Sequence, residues 1–237
     1  MAGEGSRFAN AGYTLPKPLI DVDGKPMIQV VVENLNIPDA RYIFIVRKEH
    51  RRLYDMDTIL NRLVKNCIII ETDGLTEGAA CSIMLAKDYI DSDTPLLLAN
   101  SDQYIEWNAQ DFLSTMHSDR VDGGIVTFED LHPRWSYAKT DVDNRVTEVA
   151  EKNPISTHAT TGVYFWKRGS DFVKYAQRMI SENIRVNNEF YTCPVFNQAI
   201  QDNKNIIAYP AESMHGLGIP EDLEQFLRHK FNSIDPH

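Results

Sequence analysis

Arg41-Tyr-Ile-Phe-Ile-Val-Arg47 is a short apolar run rich in β-forming residues. Leu53, Met56, Ile59, Leu60, Leu63 and Val64 follow in helical spacing between Glu49 and Lys65, and Cys67-Ile-Ile-Ile70 then repeats the apolar run. This pattern predicts a buried strand, an amphipathic helix and a second buried strand. Downstream, residues 77–89 carry the small and apolar residues of a close-packed helix, and Pro95-Leu-Leu-Leu-Ala-Asn100 is a third buried strand ending at Ser101-Asp102. Continuous apolar strands alternating with helices predict an α/β fold, with a mainly parallel sheet and helices on both faces.

After Asp119 the spacing shortens. Gly124-Ile-Val-Thr-Phe128, Ser136-Tyr-Ala-Lys-Thr140, Val146-Thr-Glu-Val-Ala150 and Thr160-Thr-Gly-Val-Tyr-Phe-Trp166 read as closely spaced strands, with a turn at Asp141-Val-Asp-Asn144. They predict a small antiparallel layer. Helices over about 169–183 and 188–202, a strand at Ile206-Ile-Ala-Tyr209 and a helix from Pro220 follow. The expectation is one domain over 1–237, with a first half to 120 and a second half from 121.

Composition narrows the function. At 237 residues and 43% hydrophobic content the chain can bury a sizeable core. A formal net charge of -10 argues against nucleic acid and anionic membrane as partners, both of which need a basic face. Cys67, Cys81 and Cys193 are odd in number and widely spaced, as reduced thiols of a cytoplasmic protein are. Neither a membrane span nor a leader is legible.

The N-terminal stretch Met1-Ala2-Gly3-Glu4-Gly5-Ser6-Arg7-Phe8 carries the chemistry. Gly3 and Gly5 let backbone N–H groups approach phosphate oxygens, Ser6 adds a hydroxyl donor, and Arg7 a cation. Further on, Pro16 and Pro18 rigidify the segment that presents Lys17, a second cation for a departing pyrophosphate. Such loops ordinarily follow a buried strand. The native chain is therefore expected to carry roughly six to eight more apolar residues upstream, with Met1 an internal methionine.

This combination of Gly-x-Gly-Ser-Arg and, about ten residues later, Lys-Pro-Leu resembles the sugar-phosphate nucleotidyltransferases. The resemblance extends through most of the chain and implies a Rossmann-like nucleotidyltransferase fold whose first half binds nucleotide and whose second half binds the acceptor. It further implies nucleotide contacts from Ala2, Gly3, Gly5, Ser6, Thr76 and Gly78, catalytic roles for Arg7, Lys17 and Lys152, and acceptor contacts from Glu151, Lys152, Thr161, Gly162 and Glu189. Asp102, placed just past the carboxyl end of an apolar strand, would hold Mg²⁺ or Mn²⁺. The partners would be an NTP, namely CTP, dTTP or UTP, and a phosphorylated small molecule, most simply a sugar 1-phosphate. Glu189-Phe190-Tyr191 is similar to a stretch in capsule-associated cytidylyltransferases, which include a phosphoglutamine cytidylyltransferase. Apolar surface on the late helices suits a homodimer.

One departure concerns the metal. Met214-His215-Gly216 puts Gly216 where the family carries a second carboxylate, while Gly218-Ile219-Pro220-Glu221-Asp222 keeps the following turn and helix start. Two other readings follow from the residues. Asp21-Val-Asp23 and Asp141-Val-Asp143 match the Asp-x-Asp spacing of metal-dependent glycosyltransferases, and Gly216 keeps a non-catalytic nucleotide- or sugar-phosphate-binding module in view.

Overall fold

The computed structural model describes residues 1–3 and 5–234, with side-chain surroundings up to residue 230. The elements run α1 (Ser6–Asn10), a 3-10 turn (Lys17–Leu19), β1 (Asp21–Val22), β2 (Lys25–Pro26), α2 (Met27–Leu35), β3 (Ile43–Arg47), α3 (Lys48–Leu53), α4 (Met56–Leu63) and β4 (Ile68–Thr72). They continue with α5 (Ala79–Met84), α6 (Lys87–Ile90), β5 (Leu96–Ala99), β6 (Gln103–Glu106), α7 (Ala109–Met116), β7 (Gly123–Glu129), β8 (Ser136–Thr140) and β9 (Val146–Glu151). The last are β10 (His158–Trp166), α8 (Gly169–Ser181), α9 (Val195–Gln201), β11 (Ile206–Pro210), β12 (Ser213–Gly216) and α10 (Pro220–Ile234). The chain is α/β, as its alternating pattern predicts. Among the described residues no helix is long and apolar enough to cross a membrane.

Two compact units are assembled from discontinuous segments. The first takes residues 1–73, 100–106 and 214–237, the second 74–99 and 107–213.

In the first unit β3 and β4 pair in parallel, from Ile43 opposite Ile68 to Arg47 opposite Thr72. Phe44 and Val46 on β3 turn into an apolar cluster with Leu19, Ile28, Met56 and Leu60. A second cluster gathers Phe8, Ile20, Val22, Met27, Leu217, Leu223 and Phe226. The single helix expected over 49–65 is broken. Asp55 takes a left-handed φ of 46°, α3 ends before it and α4 starts after it. Aspartate tolerates that conformation better than most residues. Arg51 bridges the break to Asp57 at 2.7 Å, so Met56 and Leu60 are fully buried while Leu53 stays exposed.

In the second unit six strands form one sheet in the order β11-β7-β10-β8-β9, with β5 also pairing β10. β11 and β7 are parallel and the other ladders antiparallel. β10 organises this sheet. It pairs β8 at Ala159 opposite Tyr137, shifts register against β7 between Thr160 and Tyr164, and then pairs β5 from Val163 opposite Ala99. Gly162 supplies the left-handed φ of 83° at this bulge, which re-aims one strand between two partners.

Helices α8 and α9 belong to the same unit. Trp166 stacks on Phe196 with ring centroids 4.3 Å apart, beside buried Phe172, Tyr175 and Met179. The helix expected over 188–202 is confined to α9. Asn187 and Asn188 take left-handed φ values of 47° and 64°, so residues 188–194 form an irregular segment instead. Likewise the helix expected over 77–89 is two short ones, α5 and α6, interrupted at Leu85-Ala86.

Candidate functional site

The glycine loop is shaped by its own second glycine. Gly5 takes a left-handed φ of 66° ahead of α1, and a Cβ built on it would lie 3.5 Å from the Lys17 Cβ. Backbone bonds from Phe8 and Ala9 to the Gly5 carbonyl close the turn, and buried Phe8 anchors it in the apolar cluster of the first unit. Ser6 and Arg7 are exposed on α1, as is Gly3 before it, while Ala2 is half-buried.

Lys17 follows Pro16 in the 3-10 turn, and its Nζ donates to Asp102 Oδ2 at 2.8 Å. Both side chains are about three-quarters buried, with exposures of 23% and 26%. Asp102 stands in the short connection between β5 and β6, and its carbonyl accepts from the Leu217 N–H at 2.7 Å. Beside that bond lies Gly218, where a Cβ would come within 2.7 Å of Asp102 Oδ2. The sequence marks Gly218 only as part of a turn. The structure gives it a second task, clearance for a carboxylate. Thus the glycine loop, Lys17 and Asp102 lie together in the first unit.

This donor set suits a hard cation. Mg²⁺ keeps several waters and takes one or two carboxylates together with substrate phosphates, so a single partly exposed Asp102 carboxylate fits it. Among the described residues Asp102 belongs to no group of three metal-type side chains. Gly216, at the end of β12, offers no ligand atom from a side chain.

The second unit holds the remaining expected residues. Glu151 ends β9, and the Ser136 hydroxyl donates to its carboxylate. Burial pushes the Glu151 carboxyl above its ordinary range, with the Ser136 bond and the Lys152 charge opposing and the Glu189 charge adding to the rise. Lys152 takes a left-handed φ of 54°, held by its N–H bond to the Trp135 carbonyl at 2.9 Å. That strained backbone directs Nζ to the Tyr191 hydroxyl at 2.5 Å, with Nζ also 4.7 Å from the centroid of the same ring. Burial raises the Tyr191 hydroxyl above its ordinary value, and Lys152 pulls the other way. Glu151, Lys152 and Glu189 are therefore neighbours, with Tyr191 in their midst. Tyr191 is the group that sequence reasoning leaves out, although it lies in the stretch that contains Glu189.

Other expected contacts have local explanations. Thr161 is buried, and its hydroxyl donates to the Val126 carbonyl at 3.1 Å, so with Gly162 it builds the bulge in β10. Thr76 donates to the Gly78 carbonyl at 2.9 Å and shares a bond with the Ser82 hydroxyl at 2.6 Å. Gly78, at φ 129°, has no room for a side chain: a Cβ would lie 2.5 Å from the Phe190 backbone N and O. Phe190 N–H donates to the Glu77 carbonyl and Ala80 N–H to the Phe190 carbonyl, stitching the two segments together. Arg185 seals this join through Glu77 and over the Phe190 ring.

The nucleotidyl transferase family profile matches residues 1–226. The bifunctional protein GlmU of Methanocaldococcus jannaschii is 27% identical over 169 residues, 69% of this chain and 38% of that protein. This chain thus spans well under half the length of that relative. The UTP–glucose-1-phosphate uridylyltransferase AglF of Haloferax volcanii is 24% identical over 234 residues, 94% of this chain and 91% of that protein. A nucleoside-diphosphate-sugar pyrophosphorylase from Vibrio cholerae RC9 superposes with a TM-score of 0.82 at 26% identity, covering 96% of this chain and 98% of that one. With a match that leaves out only its last residues, the chain belongs to the nucleotidyl transferase family, among the sugar-phosphate nucleotidyltransferases.

Proposed function

We propose that this chain joins an NTP, namely CTP, dTTP or UTP, to a phosphorylated small molecule, with a sugar 1-phosphate as the first candidate, and releases pyrophosphate. An oxygen of the acceptor phosphate forms a bond to the α-phosphorus of the NTP. The bond from that phosphorus to the bridging oxygen of the β-phosphate breaks, and pyrophosphate departs with the electron pair. Such a transfer needs alignment and charge neutralisation rather than a covalent nucleophile. Lys17 and Arg7 would balance charge on the departing pyrophosphate, with the backbone of Ala2, Gly3, Gly5 and Ser6 around its oxygens. Lys152 would orient the acceptor phosphate beside Glu151 and Glu189. Bound at Asp102, Mg²⁺ would supply further neutralisation of the phosphate oxygens.

The observation that carries this reading is the Lys17–Asp102 pair, set beside the glycine loop and given clearance by Gly218. The rival Asp-x-Asp pairs are spent on turns instead. Asp21 Oδ1 accepts from the Gly24 N–H, and Asp141 Oδ1 from the N–H groups of Asp143 and Arg145. By extension of the same reading, the chain works in the cytoplasm as one domain and supplies an activated precursor for surface polysaccharide.

Pyrophosphate release, screened with the four NTPs against sugar 1-phosphates and phosphorylated amides in the presence of Mg²⁺, tests the proposal. One NTP–acceptor combination should turn over. Sugar transfer from a nucleotide sugar without pyrophosphate, or NTP binding with no release across the panel, overturns it.

A further inference from the structure

Glu106, His215 and His229 meet at a place that the transfer reaction does not use. Glu106 ends β6, His215 lies in β12, which pairs with β6, and His229 comes from α10. One donor atom from each lies within 4.8 Å of the other two. Glu106 Oε1 is 3.8 Å from the Nε2 of both histidines. Those separations are too long for hydrogen bonds, yet close to the roughly 3.3 Å between donors around a tetrahedral ion with bonds of about 2.0–2.2 Å. Small side-chain rotations close the gap. The imidazoles lie with centroids 4.9 Å apart, and the His215 ring packs on Phe226 at 5.4 Å, so the cluster has an apolar wall on one side.

We propose that Glu106, His215 and His229 form a binding site for a divalent transition ion of the zinc class. Two imidazole nitrogens and one carboxylate oxygen suit Zn²⁺, Co²⁺ or Ni²⁺, whereas Mg²⁺ prefers an all-oxygen shell. Three protein ligands leave one position open for water or an anionic oxygen. A bound ion would tie α10 to the β6–β12 pair, four residues along the chain from Asp102. This site is separate from the Mg²⁺ proposed at Asp102 and stands or falls without it.

The test uses the full chain stripped of metal with a chelator. Zn²⁺ should bind at about one equivalent and raise Tm by roughly 5–10 °C at a hundredfold excess over its dissociation constant. Co²⁺ should give the visible bands of a tetrahedral ion, and Mg²⁺ should give no comparable Tm shift. His229→Ala, at a half-exposed helix position, should keep the metal-free Tm and lose both responses, and Glu106→Gln should weaken them as a second, milder variant. Equal Zn²⁺ affinity in wild type and both variants, an equal Tm shift from Mg²⁺, or no saturable Zn²⁺ binding by the wild type would overturn the proposal.

Discussion

Two lysines drawn from two motifs are held in opposite ways. In the first unit Lys17 lies against a carboxylate, three-quarters buried, with its charge matched by Asp102. In the second unit Lys152 leans on a neutral phenol, beside a Glu151 whose burial favours the uncharged form. On the proposed function, the difference separates two ways of meeting a phosphate. On that reading, a cation at Asp102 would compete with Lys17 for the carboxylate, which would couple metal binding to release of Lys17 toward phosphate. At Lys152 an incoming anion would exchange a bond to an uncharged hydroxyl for an ion pair.

The strongest way to break this contrast is to remove either member of the first pair. Lys17→Ala and Asp102→Asn should each lower turnover by about 10²–10³-fold, the cost of deleting one preorganised electrostatic group. Pyrophosphate release measures it, with far-UV circular dichroism unchanged. Lys17→Ala should also lower the Mg²⁺ concentration needed for half-maximal rate. An unchanged requirement would show that the lysine does not compete with metal.

Next in size is Gly78→Ala, which forces a Cβ into the Phe190 backbone at a φ of 129°. It should cost about 3 kcal/mol of stability by calorimetry, by removing the framework that carries Glu189 and Tyr191. A smaller change is expected from Tyr191→Phe, which deletes the hydroxyl that holds Lys152. An effect of about 1 kcal/mol, roughly fivefold, should appear in KM for the acceptor with kcat kept. A fall in kcat instead would give Tyr191 a part in the reaction itself.

Glu151→Gln should have the mildest effect, and its sign depends on pH. The folded carboxyl lies above its ordinary value of 4.5, so the folded state binds more protons than the unfolded chain between those two values. Wild-type stability is therefore lost as pH rises through the folded value. The glutamine variant should unfold at an equal or higher temperature than wild type at pH 7. The difference should close as pH falls toward 4.5 in thermal scans.

The strands were the most legible feature because burial leaves a direct mark in composition. Ile43–Arg47, Leu96–Ala99 and His158–Trp166 fall within two residues of the apolar runs that announce them. Helix continuity was less legible. Nothing in the periodicity of 49–65 shows that Asp55 adopts a left-handed conformation, since the choice depends on how Met56 and Leu60 reach the core. Candidate site residues are legible where a motif marks them, as at Lys17. Their partners were not: Lys17 meets Asp102 across 85 positions, and Tyr191 meets Lys152 across 39. Such pairings are set by tertiary packing, and neither spacing nor the resemblance pointed to them. The clearance at Gly218 is invisible for the same reason, because a glycine in a turn looks alike whether or not a carboxylate passes it.

The stacked Trp166 has one further consequence, for how this protein can be watched. All three tryptophans, Trp107, Trp135 and Trp166, fall in the second unit, and the first has none. Intrinsic emission excited in the indole band therefore arises from residues of the second unit. A loosening of the glycine loop, Lys17 and Asp102 has no indole of its own, and an indole introduced in the first unit would be the direct reporter.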